Sequence, residues 1–360
     1  MTRSAPPTAA GRRYRVAVVP AGTWGTALAL VLADNGHEVR LWHRDAGVVA
    51  GINRERVNPR HLTEVRLPEN VTATTSLAAA VVDADMVVLV PASAAFRELA
   101  AQLAPLLTPH QLLLSATKGL EPDTHRRMSQ LLAAYVPDVA ERTAVLSGPN
   151  FAVEVARRLP TSTVIAAERR QVAELFQTLF FNPNFRVYIN PDVIGVELAG
   201  SLKNVLAIGV GMAHGYGLGF NTAAAIITRG IAEITRLGLA LGAHPLTFAG
   251  LAGLGDIVLT CTSDLSRNRR AGVLLGQGKR LVEILEQRSM TVEGVRTAKA
   301  AFELAQRLDC EVPIIEQIYR VLYEGKPIAA AVRCLMERTQ KPEIEAAFLD
   351  GLQEIDFQQW

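Results

Sequence analysis

The stretch Arg15-Val-Ala-Val-Val19, Pro20-Ala-Gly-Thr-Trp-Gly25, Thr26-Ala-Leu-Ala-Leu-Val-Leu-Ala33 constrains this chain more than any other. A short run of apolar and small residues reads as a strand buried on both faces, as in a parallel sheet. The Ala- and Leu-rich run after Gly25 reads as a helix that stops at Asn35-Gly36. A second strand follows at Glu38-Val-Arg-Leu-Trp42. The result is a βαβ unit of about thirty residues, the frame in which a glycine-rich turn holds a dinucleotide.

That turn is Pro-Ala-Gly-Thr-Trp-Gly. Gly22 lets backbone approach a pyrophosphate, and Gly25 lets helix and strand pack closely. Pro20 stands where the first glycine of the fingerprint belongs. Proline fixes φ and lacks an N–H, so the turn must be built differently. Taken alone, the turn is also compatible with an α/β connection that binds nothing.

With 360 residues, the chain has room for two cores. A composition of 49% hydrophobic and 20% charged residues is that of a soluble globular protein. The net charge of +2 gives no reason to expect nucleic acid. Cys261, Cys310 and Cys334 are odd in number and far apart, so they read as free thiols in a reducing, cytoplasmic setting. Residues 1–13 lack the apolar stretch of a signal peptide and read as a disordered arm. The run from Leu198 to Ala213 contains Lys203 and reads as too short to span a membrane.

Downstream, apolar runs at 86–90, 111–115, 143–147, 163–167 and 185–189 read as further strands. Helical stretches are expected between them, including 124–135, while residues 43–77 read as polar and irregular. This alternation predicts a doubly wound, mostly parallel sheet over residues 14–190. From Asp192 the patterning is helical, broken by glycine-rich turns at 215–219, 250–255 and 276–278. An all-helical domain over 191–340 and an extension over 341–360 complete the expected organisation.

In open parallel sheets, ligands bind beyond the carboxyl ends of strands. Four segments sit at such ends: Gly22 to Gly25, Arg44, Lys118 and Gly148-Pro149-Asn150. An NAD site places an acid about twenty residues after the glycines. Here His43-Arg44 stands there, with Asp45 one step late. Arg44 either accepts a 2′-phosphate, favouring NADP, or simply faces solvent.

Lys203 is the only charged residue between Glu197 and His214. Its helical neighbours Ala199, Gly200 and Ala207 are small, so the lysine is expected to overlook open space. Burial lowers a lysine pKa and a carboxylate raises it, which makes Lys203 a tunable proton donor. Asp256, before Ile257-Val-Leu259, reads as a helix N-cap on its own pattern. Ser266-Arg-Asn-Arg-Arg270 suits a phosphate, or equally a solvated helix start. Zinc-protease, nucleophile-elbow and Walker A patterns do not occur.

Taken together, these segments resemble the bacterial NAD(P)-dependent glycerol-3-phosphate dehydrogenase family from about Tyr14 to Arg338. The stretches that carry the likeness are A-G-T-W-G-T-A-L-A, N-G-H-E-V, S-A-T-K-G-L-E, L-S-G-P-N-F-A, I-G-V-E-L-A-G-S-L-K-N-V-L-A-I-G, A-G-L-G-D-I-V-L-T-C-T, S-R-N-R-R and V-E-G. The resemblance implies a Rossmann-type α/β doubly wound parallel sheet, an all-α C-terminal domain and a substrate cleft between them. It implies reversible reduction of dihydroxyacetone phosphate to sn-glycerol 3-phosphate, for phospholipid synthesis, by a homodimer using NAD or NADP.

By position, the resemblance makes Lys203 the general acid/base, with Asp256 beside it. It places Lys118, Gly148, Asn150, Lys203, Asp256, Ser266, Arg267 and Asn268 against substrate. It places Gly22, Thr23, Trp24, Gly25, Arg44, Lys118, Ala152, Arg267, Thr291 and Glu293 against cofactor. Two positions depart from the family pattern: Pro20 replaces a glycine and Ala92 a serine. Both fall on the cofactor side, so an active enzyme with altered cofactor binding is expected. The alternatives are a non-catalytic dinucleotide or sugar-phosphate sensor, or a related reductase with another substrate.

Overall fold

The structure is a computed structural model that describes residues 12–286, 292–340 and 342–343. The expected N-terminal arm and C-terminal extension, like Thr291, therefore lie wholly or mostly outside the described residues. The chain divides into two compact units. The first comprises Met1–Thr117, Ser129–Leu146 and Asn150–Pro191; the second comprises Lys118–Met128, Ser147–Pro149 and Asp192–Trp360.

The first unit is an α/β sheet. Its strands are β1 (Arg15–Val19), β2 (Glu38–Trp42), β3 (Val71–Thr74), β4 (Met86–Leu89), β5 (Leu112–Ser115), β6 (Thr143–Ser147), β7 (Thr161–Ala167) and β8 (Phe185–Asn190). They lie in the order β3-β2-β1-β4-β5-β6-β7-β8. β1 pairs in parallel with both β2 and β4, and the β2–β3, β4–β5, β5–β6 and β7–β8 pairs are parallel too. The order reverses at β1, which puts the glycine turn at the topological switch point. The helices of this half are α1 (Thr23–Asp34), α2 (Ala46–Ala50), α3 (Leu77–Val81), α4 (Ser93–Leu103), α5 (Met128–Ala133), α6 (Ala152–Ala156) and α7 (Arg170–Phe180).

Two sequence expectations fail here. Residues 43–77 are not irregular: they hold α2, a π-turn at Gly51–Glu55 and β3. β3 reads Val-Thr-Ala-Thr and buries only alternate residues, so its apolar signal is too weak to register. The helix expected at 124–135 shortens to Met128–Ala133. His125 takes a left-handed φ of 58°, which helix cannot accommodate. Residues 118–128 are instead pinned to the second unit. Gly119 donates to Ser201 Oγ at 2.9 Å, Arg127 to Glu197 at 2.6 Å, and His125 Nε2 meets Glu303 at 2.8 Å.

The second unit is helical: α8 (Val193–Gly215), α9 (Phe220–Leu239), α10 (Pro245–Ala249), α11 (Asp256–Thr262), α12 (Arg267–Gly276), α13 (Leu281–Leu285), α14 (Glu293–Arg307), α15 (Pro313–Tyr323) and α16 (Ile328–Met336). Residues 250–255, expected to be a turn, form a π-turn at Leu251–Gly255 that leads directly into α11. α8 is the axis of the unit. Nineteen of its 23 residues are buried, and Asp192 caps it by accepting from Gly195 N at 2.8 Å. By length and composition α8 and the stretch Pro245–Thr262 could cross a membrane, yet 89% of the apolar window of α8 is buried within the protein. Glycines let α12 lie backbone to backbone on α8: a Cβ on Gly272 would fall 2.9 Å from Gly211 Cα.

Candidate active site

In the first unit, the chain leaves β1 through Pro20 and enters α1 at Thr23. Gly22 N donates to Pro20 O at 2.9 Å, and Ala21 N donates to Trp42 O at 2.8 Å, fastening the turn to β2. A Cβ on Gly25 would collide with the Pro20 carbonyl, so the close helix–strand contact needs glycine there. Among the described residues nothing lies within 4 Å of the Cβ position at Gly22, which leaves its backbone open to a ligand. α1 has no side-chain cap and no acidic residue in its first turn. Its amino end thus presents backbone N–H groups and a positive dipole, suited to a pyrophosphate. Trp24 Nε1 is buried with no hydrogen-bond partner among the described residues. These features fit a dinucleotide, and Pro20 is accommodated within the turn.

At the end of β2, Arg44 is exposed. Asp45 caps α2 by accepting from Gly47 N at 2.7 Å, and it also pairs with Arg60. The Gly47 amide and then the Arg60 charge hold its carboxyl below the ordinary range. Ala152 opens α6. Asn150 Nδ2 donates to Thr163 Oγ1 at 2.9 Å, which fixes the amide in the first unit.

In the second unit a charged cluster is built around Asp256. Lys118 Nζ donates to Asp256 Oδ2 at 2.7 Å and to the Gly148 carbonyl at 2.9 Å. Lys203 Nζ donates to Asp256 Oδ1 and, at 2.9 Å, to Thr260 Oγ1. Asp256 is fully buried and Lys203 is 7% exposed. Lys203 therefore does not overlook open space; a carboxylate and a hydroxyl fill the room its small neighbours leave. Nor is Asp256 an N-cap: Gly255 takes that position with helical angles, and the Asp256 side chain serves the two lysines.

Burial pushes the Lys203 pKa down to about 8, against the pull of Asp256, while the Lys118 charge lowers it further. Two ammonium groups share one carboxylate, so the cluster carries an excess positive charge suited to an oxyanion. Lys203 can both neutralise developing negative charge and transfer a proton near neutral pH.

The Ser-Arg-Asn segment divides in three. Ser266 caps α12 by accepting from Arg269 N at 3.2 Å. Asn268 is turned inward, donating to Asn204 Oδ1 at 2.8 Å and accepting from Gly294 N at 2.9 Å. Arg267 alone projects into solvent. Glu293, the first residue of α14, lies next to that junction. Thr260 and Asn204 escaped the sequence reading. Thr260 stands four residues after Asp256 on one helix face, and Asn204 directly follows Lys203; those spacings were the available signals.

Two family models match the chain. The NAD-dependent glycerol-3-phosphate dehydrogenase N-terminus covers residues 15–173, and the C-terminus of the same enzyme covers 192–333. A glycerol-3-phosphate dehydrogenase [NAD(P)+] from Moorella thermoacetica is 50% identical over 331 residues, spanning 92% of this chain and 98% of the relative. One of the same description from Geobacter sulfurreducens is 50% identical over 330 residues, 91% and 98% of the two chains. Among solved structures, glycerol-3-phosphate dehydrogenase from Coxiella burnetii superposes with a TM-score of 0.86 at 40% identity, covering 91% of this chain and 99% of that one.

Proposed function

Because the chain belongs to the NAD-dependent glycerol-3-phosphate dehydrogenase family, we propose that it interconverts dihydroxyacetone phosphate and sn-glycerol 3-phosphate with NAD or NADP. Lys203 is the general acid/base of this reading. The observation that carries it is the buried Lys118–Asp256–Lys203 cluster, in which a lysine with a pKa of about 8 is held by one shared carboxylate. When bound, the nicotinamide supplies the hydride.

The residues of the chain do the rest. Lys203 gives its proton to the carbonyl oxygen of the substrate as charge develops there, and takes it back in the reverse direction. Asp256 keeps Lys203 charged in spite of burial and fixes its Nζ between two acceptors. Lys118 adds a second positive charge beside the same carboxylate. Arg267, exposed at the amino end of α12, is assigned to the substrate phosphate, where remote binding energy orients the reacting carbon. Ser266 and Asn268 support that helix start, the former as its cap and the latter through Asn204 and Gly294. Gly148 offers its carbonyl to Lys118.

Gly22, Thr23, Trp24 and Gly25 are assigned to the pyrophosphate turn and Arg44 to the adenosine end; Lys118, Ala152, Arg267, Thr291 and Glu293 complete the cofactor set. The product is the glycerol phosphate backbone of phospholipids, and a cytoplasmic setting is the reading that the free thiols support. A homodimer is the assembly we assign.

The test follows NADPH absorbance on adding dihydroxyacetone phosphate, with NADH in parallel. Rapid oxidation that falls by about 10² to 10⁴-fold in Lys203→Ala is expected for loss of a general acid. No turnover with either cofactor would refute the assignment. Unphosphorylated dihydroxyacetone reacting equally well would remove the role given to Arg267.

A further inference from the structure

The segment after α2 is tied to the glycine turn by one buried amide. Asn58 is fully buried, and its Nδ2 donates to Ala21 O and to Thr26 Oγ1, each at 2.9 Å. Its Oδ1 accepts from the backbone N–H groups of Arg60 and His61, each at 3.1 Å. Thr23 Oγ1 meets His61 Nδ1 at 3.0 Å, a second tie between this segment and the start of α1. Asn58 thus fixes residues 60 and 61 beside the end of β2, where Arg60 reaches the carboxylate of Asp45.

That contact changes what the adenosine end of a dinucleotide would meet. In an NAD site, a free carboxylate at the end of the second strand accepts the ribose hydroxyls. Here the Asp45 carboxylate is already taken by Gly47 N and Arg60. A ribose diol finds its acceptor engaged, whereas a 2′-phosphate finds guanidinium donors. Arg60 has five N–H donors and its side chain is 63% exposed, so it can hold Asp45 on one edge and offer the other.

Resting on the dinucleotide reading above, we propose that Arg60 discriminates adenosine 2′-phosphate from a free 2′-hydroxyl and sets the chain's preference for NADP over NAD. Arg44, exposed just after β2, adds a further positive charge. Burial holds both His43 and His61 below the ordinary histidine range, so the positive charge at this end comes from the two arginines.

The experiment is calorimetric titration of the full chain with adenosine 2′,5′-bisphosphate and with 5′-AMP, which differ only in the 2′-phosphate. Nicotinamide fluorescence with NADPH and NADH runs beside it. The unaltered protein is expected to bind the bisphosphate more tightly. Arg60→Ala should weaken bisphosphate binding about tenfold, the scale of one lost hydrogen bond to a charged group, and leave 5′-AMP binding the same or tighter, because Asp45 is freed for the ribose diol. Arg60→Lys should recover part of the loss. An unchanged affinity ratio in Arg60→Ala overturns the role of Arg60 while leaving the dinucleotide site standing. Failure of the unaltered protein to bind either nucleotide overturns both.

Discussion

The behaviour of Lys203 is set by two neighbours that act in opposite directions. Burial is the largest influence and lowers its pKa to about 8; Asp256 opposes that shift and Lys118 adds to it. In the proposed reaction, carbonyl reduction needs the ammonium form. Its rate should therefore fall as pH rises through about 8, and the rate of alcohol oxidation should rise over the same window. Asp256→Asn removes the anion that favours the charged form, so the break in the profile should move to lower pH. Lys118→Met removes a repelling cation and should move it to higher pH. The measurement is kcat against pH in both directions; breaks that stay in place would show that Lys203 is not the titrating group. Cys261 illustrates the contrast: burial pushes its thiol up to about 12, which leaves it inert although it stands beside Thr260.

At the scale of elements, α12 lies directly on α8, the helix that carries Lys203 of the charged cluster. α8 carries Lys203 and α12 begins with Arg267. The two approach through Gly211 and Gly272, where a side chain would strike the neighbouring backbone at Arg269 O and Ile208 O. Backbone cannot step aside as a flexible side chain can. Gly272→Val should therefore destabilise the protein by about 3 kcal/mol or more, the upper range for overpacking. A urea titration reads this as a lowered midpoint, with activity falling as α12 is pushed off α8. A midpoint within error of the parent would mean that the helices can separate freely. The glycines were legible in the sequence, but their partners were not. A glycine in a helix marks a close approach only once the helix it faces is known.

Stability belongs to the whole molecule, and Glu233 links distant parts of the helical unit. It is 3% exposed on α9, and accepts from Ile314 N at 2.7 Å and Ile315 N at 3.0 Å, capping α15 from 81 residues away. Burial raises its pKa to about 7 from the ordinary 4.5, even though those amides and the charges of Arg236 and Arg338 favour the ionised form. Between these values the folded state binds more protons than the unfolded one. The group's contribution is thus full below about 4.5 and is lost as pH rises through about 7. Its span is roughly 3 kcal/mol at 1.36 kcal/mol per pKa unit. Glu233→Gln should flatten that part of the stability profile, read as urea midpoints at pH 5 and pH 7.5. A slope that survives the substitution would assign the dependence to other groups.

What the sequence determined by itself was what repeats locally. Apolar runs alternating with helical patterns up to residue 190, and helical patterns beyond, define a parallel α/β half followed by a helical half, because burial faces repeat with the geometry of each element. A lone lysine within an apolar run was likewise visible, because an unpaired charge in a core is costly enough to require a reason. Only the tertiary structure decided what that reason is. Asp256 lies 53 residues from Lys203 and Asp45 lies 15 residues from Arg60, and no local periodicity reports such pairings. The same holds for the inward turn of Asn268 toward Asn204 and Gly294, and for β3, whose alternating Val-Thr-Ala-Thr is recognisable as a strand only beside β2. Charge pairing and strand pairing act across space, so they emerge when packing brings the partners together.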